Sequence, residues 1–149
     1  MLSTFSVLAM TAFAILPQTA EAPKPAWSAT TLEAAATDAN KAVLKGGKAM
    51  TVTGEVVDLS CYIQLGKRGD GHKACGAKCV TNGAPVGIVT KENKVYMLVA
   101  EQHHPRRDGQ LGFAKEYAEK MGTTVTVSGM LSKYGGIPTL FVEAPASAK

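Results

Sequence analysis

The stretch MTVTGEVVD, residues 50–58, alternates apolar and polar side chains with the two-residue period of a β-strand. Gly54 lies inside this stretch, and a glycine within a strand marks a bend, a bulge or a close backbone approach. Four further strand patterns follow it along the chain: residues 85–90 and 94–100, joined by a short turn at 91–93 as a hairpin, and residues 124–131 and 137–142.

Two segments have helical instead of alternating periodicity. Residues 111–121, LGFAKEYAEKM, place apolar side chains on one helical face and stop at Gly122. Residues 30–45 form an Ala-rich helical pattern, with Thr30 or Thr31 as its cap and two glycines after it. The helix at residues 111–121 falls between the third and fourth strands, and the helix at residues 30–45 precedes the first strand.

This order of elements is that of the OB-fold, a small five-stranded Greek-key barrel with a helix between strands three and four. We therefore predict a mainly β fold, with an OB-like barrel over residues 48–143, an N-terminal helix and a helical excursion at residues 59–83, between strands one and two. Gly54 and Gly129 fit closure of a small barrel, which needs sharp coiling. An open α+β sandwich of the same elements is the alternative.

Composition limits the functional classes. The chain has 149 residues, 46% of them hydrophobic, which is enough for one domain with a packed core. Its formal charge of +4 is mild, and its basic residues are scattered, so a nucleic-acid partner is not expected. A single segment has the hydrophobicity to enter a bilayer, which excludes a polytopic membrane protein.

The N-terminal segment predicts export. Residues 2–16 are uncharged and apolar over the length of a signal-peptide core, and Ala20-Glu21-Ala22 supplies a small-x-small cleavage pattern. We predict a signal peptide or membrane anchor at residues 1–22, a linker and helix at 23–47, and a tail at 144–149. The protein is then periplasmic, tethered to the membrane surface if the segment is not cleaved.

Three cysteines and one histidine lie within nineteen residues of the excursion: Cys61, His72, Cys75 and Cys79. If residues 72–79 are helical, the H-x2-C-x3-C spacing puts one imidazole and two thiols on a single helical face. Cys61, arriving from the end of the first strand, completes a Cys3His set. This set is typical of structural zinc, and thiolates suit copper or iron as well. The sequence therefore predicts a non-enzymatic metal-binding protein.

A disulfide is the alternative. In an oxidising compartment Cys61 can pair with Cys75 or Cys79 and staple the excursion to the barrel, with one thiol left over. The protein is then an accessory subunit of a larger exported or membrane-associated complex, for example one in electron transfer, or a thiol redox protein. A Cys–His nucleophile is disfavoured because the sequence places no orienting side chain beside it, and Asp58 is interpreted as a turn or supporting residue.

A polar loop, EQHHPRRD at residues 101–108, follows the third strand. His103, His104, Arg106 and Arg107 form a candidate contact for an anionic group or a protein partner, and the histidines could add a metal ligand. The alternative interpretation is an ordinary solvated loop.

Three runs together resemble a known group: TGEVVDLSCY at 53–62, GHKACGAKC at 71–79 and GAPVGI at 83–88. They are similar to a family of small uncharacterised bacterial exported proteins with an OB-like barrel. The resemblance covers roughly residues 50–142 and depends on Cys61, His72, Cys75 and Cys79. It implies an exported accessory protein that binds a metal or a protein partner, and it does not imply any particular reaction.

Overall fold

The structure is a computed structural model that describes residues 35–101 and 112–143. In chain order its elements are α1 (Asp38–Lys45), β1 (Lys48–Asp58), α2 (Leu59–Leu65), a 3-10 turn (Asp70–His72), α3 (Lys73–Thr81), β2 (Val86–Val89), β3 (Val95–Ala100), α4 (Gly112–Glu119), β4 (Thr124–Tyr134) and β5 (Ile137–Val142). The predicted signal peptide, the predicted tail and the HHPRR run of the polar loop lie outside the described residues.

The five strands close into one barrel in the order β1-β2-β3-β5-β4. Strand β1 is antiparallel to both β2 and β4, and β3 runs parallel to β5. Helix α4 lies between β3 and β4 in the chain, and the excursion lies between β1 and β2. This topology confirms the predicted OB-like barrel and excludes the open sandwich.

Gly54 and Gly129 make the closure sterically feasible. Strand β1 pairs with β4 up to Glu55 and with β2 from Glu55 onward, so it coils sharply beside Gly54. A Cβ at Gly54 would lie 2.5 Å from the Val89 carbonyl oxygen, and one at Gly129 would lie still closer to that of Phe141. Both approaches are far below van der Waals contact, and the backbone atoms concerned have little freedom to move.

Two predicted boundaries are wrong by three residues or more. Helix α1 begins at Asp38 because the Thr37 side chain caps it, accepting a hydrogen bond from the Asn40 amide at 3.2 Å. Residues 35–37 are therefore not helical, although their alanines favour a helix. Strand β4 extends to Tyr134 instead of ending at residue 131, and a tight turn with Gly135 and Gly136 in the positive-φ region leads directly to β5.

The core fills the barrel and continues under α3 and α4. Its fully buried centre includes Val56, Ile88 and Leu140, and Val80, Tyr117 and Met121 extend it from the helical side. The excursion is thus packed on the barrel through its last helix. Within residues 35–101 and 112–143 no helix has the length and apolar character needed to cross a membrane.

Candidate metal centre

The end of strand β1 determines where Cys61 lies. Asp58 is the last residue of β1 and the N-cap of α2, and its Oδ1 accepts a hydrogen bond from the Ser60 amide at 2.9 Å. This cap starts the helix immediately after the strand, so Cys61 lies in the first turn of α2. Asp58 itself is fully buried, although a carboxylate is among the groups least often found inside a protein.

The loop between α2 and α3 is tied to the barrel and positions His72. The Gly69 amide donates to Glu55 Oε1 at 2.5 Å, and the His72 amide donates to the Gly69 carbonyl at 2.9 Å. Gly69 adopts a φ of 74°, which favours glycine. His72 is the N-cap residue of α3, makes no capping hydrogen bond with its side chain, and is only 5% exposed. A strand residue thereby fixes the start of the helix that carries the cysteines.

Two groups of ligand atoms meet at Cys61. Cys61, His72 and Cys75 each offer one ligand atom, and these three atoms lie within 4.8 Å of one another. Asp58, Cys61 and Cys79 form a second group that meets the same limit. Ligands held at about 2.3 Å by one tetrahedral ion stand about 3.8 Å apart, so each group fits within the spacing of a metal site. Both groups could hold a metal ion.

Each group also contains a buried polar atom without a hydrogen bond. In the described part of the chain, Asp58 Oδ2 and His72 Nε2 are the two buried side-chain nitrogen or oxygen atoms that lack a partner at hydrogen-bonding geometry. Leaving such an atom unsatisfied costs about 1–3 kcal/mol. Both atoms belong to residue types that bind metal ions, and a bound cation is a partner that would satisfy them.

The Asp58 carboxylate dominates the electrostatics around the sulfurs. The Asp58 carboxylate as a nearby hydrogen-bond acceptor, then burial and the carboxylate charge, raise the pKa of Cys61 to about 12. Burial, then the same carboxylate and the neighbouring Cys75, raise the pKa of Cys79. The surroundings therefore disfavour an additional negative charge and favour a cation, either the thiol proton or a metal ion.

Gly76 permits the close packing of α3 behind His72. A Cβ at this position would lie 3.0 Å from Met121 Cγ and Sδ and 3.3 Å from His72 Cδ2. The backbone of α3 therefore approaches both the core and the imidazole ring closely, and a Cβ here would require these neighbours to shift by a few tenths of an ångström. Cys75, the adjacent residue, is exposed and gives the centre access to solvent.

The cluster expected from sequence is assembled in part. Cys61, His72 and Cys75 come together, whereas Cys79 joins Cys61 on the side of Asp58. Residues on one face of a helix can still lie far apart along its axis, because seven residues advance an α-helix by about 10 Å. Sequence reasoning misses Asp58 as a ligand candidate, although its position three residues before Cys61, in D-x-x-C, is the available signal.

Cys61, Cys75 and Cys79 are free thiols in the structure, and the disulfide alternative stays a prediction. His103, His104, Arg106 and Arg107 fall outside the described residues, so their contribution to an anion, partner or metal contact stays a prediction.

Comparison of the chain with protein-family models, with curated proteins and with solved structures finds no match. The resemblance to small exported bacterial proteins therefore stays a prediction as well.

Proposed function

We propose that this protein is an exported metal-binding module in which the excursion between β1 and β2 holds a transition-metal ion beside an OB-like barrel. Cys61, His72 and Cys75 are its protein ligands. Cys79, the fourth ligand expected from sequence, lies within reach of the same Cys61 sulfur. The function is to hold the ion and present it at the protein surface, without catalysis by the chain itself.

The observation that carries the proposal is the convergence of three ligand atoms within 4.8 Å with a buried imidazole nitrogen that has no partner. Either feature alone also occurs in proteins without a metal, since thiols cluster in disulfide frameworks and histidines are found in protein cores. Together they describe three ligands of a metal site. The donors are two soft sulfurs and one imidazole, which select zinc, copper or iron over magnesium or calcium.

Zinc fits this donor set best. Sulfur and imidazole ligands in tetrahedral arrangement are typical of structural zinc sites, and zinc needs no redox partner to remain bound. A structural ion would also tie α2 to α3 across the loop at residues 66–72, where Glu55 provides a backbone anchor. Ion binding and folding of the excursion are then coupled.

The raised thiol pKa values argue against thiol chemistry. A reactive or redox cysteine needs a lowered pKa, because the thiolate is the attacking species. Cys61, with its pKa raised to about 12, is protonated near neutral pH. This argues against a thiol redox protein and against a cysteine nucleophile assisted by His72.

Export and a protein partner complete the proposal. The uncharged apolar residues 2–16 support delivery to the periplasm or its membrane surface. Ile63 and Leu65, on the helix that carries Cys61, are 72% and 63% exposed, and they offer an apolar contact for a protein partner beside the centre.

Elemental analysis combined with thiol counting tests the proposal on full-length protein purified from its native compartment. The expected result is stoichiometric metal, with three thiols that alkylate only after chelation. His72→Gln should lower zinc affinity while the far-UV circular dichroism of the barrel stays unchanged. Metal-free protein with one alkylatable thiol and a mass lower by two hydrogens would instead establish the disulfide-stapled accessory subunit.

A further inference from the structure

We propose that the excursion holds two metal ions bridged by the Cys61 thiolate. The first ion is that of the proposed function, on which this inference rests. The second is bound by Asp58, Cys61 and Cys79. Asp58 thereby gains a ligand role, and the centre becomes a dinuclear cluster.

The two groups of ligand atoms share one sulfur. Cys61 belongs to each of the two sets in which all ligand atoms lie within 4.8 Å, and the remaining members of the sets are different residues. A thiolate sulfur has three lone pairs and can bind two ions at once, whereas the other four donors each serve one ion. In two-metal sites the ions stand about 3.5–4 Å apart, which a single bridging atom can span.

The state of Asp58 also points to a second ion. Its side chain is fully buried, and Oδ1 is occupied by the Ser60 amide, whereas Oδ2 has no partner. Helix capping explains Oδ1 alone, and an asparagine would cap equally well without burying a charge. A cation bound at this carboxylate, one oxygen of which lies within 4.8 Å of the Cys61 and Cys79 sulfurs, explains why an acidic residue occupies this position.

Charge balance also favours two bound ions. Three thiolates and one carboxylate carry four negative charges, and a neutral imidazole adds none. Two divalent ions neutralise the set, whereas one would leave two negative charges in a partly buried cluster. The neighbouring Lys73 does not supply this charge, because its Nζ is paired with Asp70 Oδ1 at 2.6 Å.

Native mass spectrometry of the full chain, stripped by chelator under reducing conditions and then loaded with zinc, counts the bound ions. We expect two zinc ions per wild-type chain and one in Cys79→Ser and in Asp58→Asn, the latter retaining the helix cap. Asp70→Asn is the matched control: it removes an exposed carboxylate from the same excursion and should keep two ions.

The outcomes separate this inference from the proposed function. One zinc ion in the wild type overturns the dinuclear cluster and leaves the metal-binding function intact, whereas no zinc overturns both. If a variant does not fold, the number of zinc ions bound by the wild-type chain still decides between these outcomes. Cadmium-113 NMR should show two signals that are coupled through the shared sulfur, and a single signal would contradict the bridge.

Discussion

Gly76→Ala is the substitution that couples the fold to the centre most directly. The added Cβ would lie 3.0 Å from Met121 Cγ and Sδ and 3.3 Å from His72 Cδ2, so both side chains have to shift by a few tenths of an ångström. Two effects oppose each other. Alanine favours a helix interior over glycine by about 1 kcal/mol, and overpacking a core costs about 1–3 kcal/mol.

Overpacking should prevail because Met121 is only 3% exposed and belongs to the core cluster. We expect the free energy of unfolding of the metal-free protein to fall by about 1 kcal/mol, the balance of the two effects. Displacement of the His72 ring should also lower zinc affinity by about tenfold, as loss of support around a metal ligand commonly does.

Urea denaturation in chelator and reductant measures the stability, and competition with a chromophoric chelator measures the affinity. Gly71→Ala is the matched control, since a Cβ there meets nothing within 4 Å, and it should stabilise the protein by about 0.4–1 kcal/mol. If Gly76→Ala stabilised the protein by its full helix propensity and kept wild-type zinc affinity, the close packing of α3 on Met121 and His72 would be refuted.

Three further predictions concern the barrel, the anchor of the loop and the core. Gly129→Ala should destabilise the protein by about 3 kcal/mol in the same urea assay, because the added Cβ would clash with the Phe141 backbone oxygen and no side-chain rotation relieves that clash. A smaller effect than that of Gly76→Ala would contradict this explanation. Glu55→Ala should lower zinc affinity by about tenfold because the Gly69 amide loses its acceptor, and Glu55→Gln, which keeps an acceptor oxygen, should not. Burial raises the pKa of Tyr117 to about 12 in the folded protein. In the unfolded chain a tyrosine ionises near a pH of about 10, so the unfolded chain loses this proton first. The free energy of unfolding therefore falls as the pH rises from about 10 to about 12. Tyr117→Phe should make this loss smaller by about 1–2 kcal/mol, and identical pH profiles of the two proteins would rule out the linkage.

The strand order follows from local patterns, and the boundaries that fail depend on particular side chains. Alternation at residues 50–58 and a glycine where β1 changes partners are sufficient to place the first strand of the barrel. The extension of β4 to Tyr134 escapes the sequence pattern because Gly135 and Gly136 suggest a longer loop, whereas two positive-φ residues make the shortest hairpin turn.

At the centre, spacing identifies His72 and Cys75 because one helical turn separates them. The same spacing does not reveal that Cys79 lies with Asp58, since this depends on how α3 packs against the end of β1. The interpretation of Asp58 as a turn residue describes its Oδ1, which caps α2. That Asp58 Oδ2 is buried without a hydrogen-bond partner becomes known only from the structure.

X-ray absorption at the metal edge, on full-length protein isolated from its native compartment, tests the central claim most directly. The account predicts a shell of sulfur scatterers at about 2.3 Å together with nitrogen or oxygen at about 2.0 Å. A shell of oxygen alone, or a metal-free protein whose three thiols are intact and accessible, would contradict the claim that Cys61, His72 and Cys75 form a metal centre.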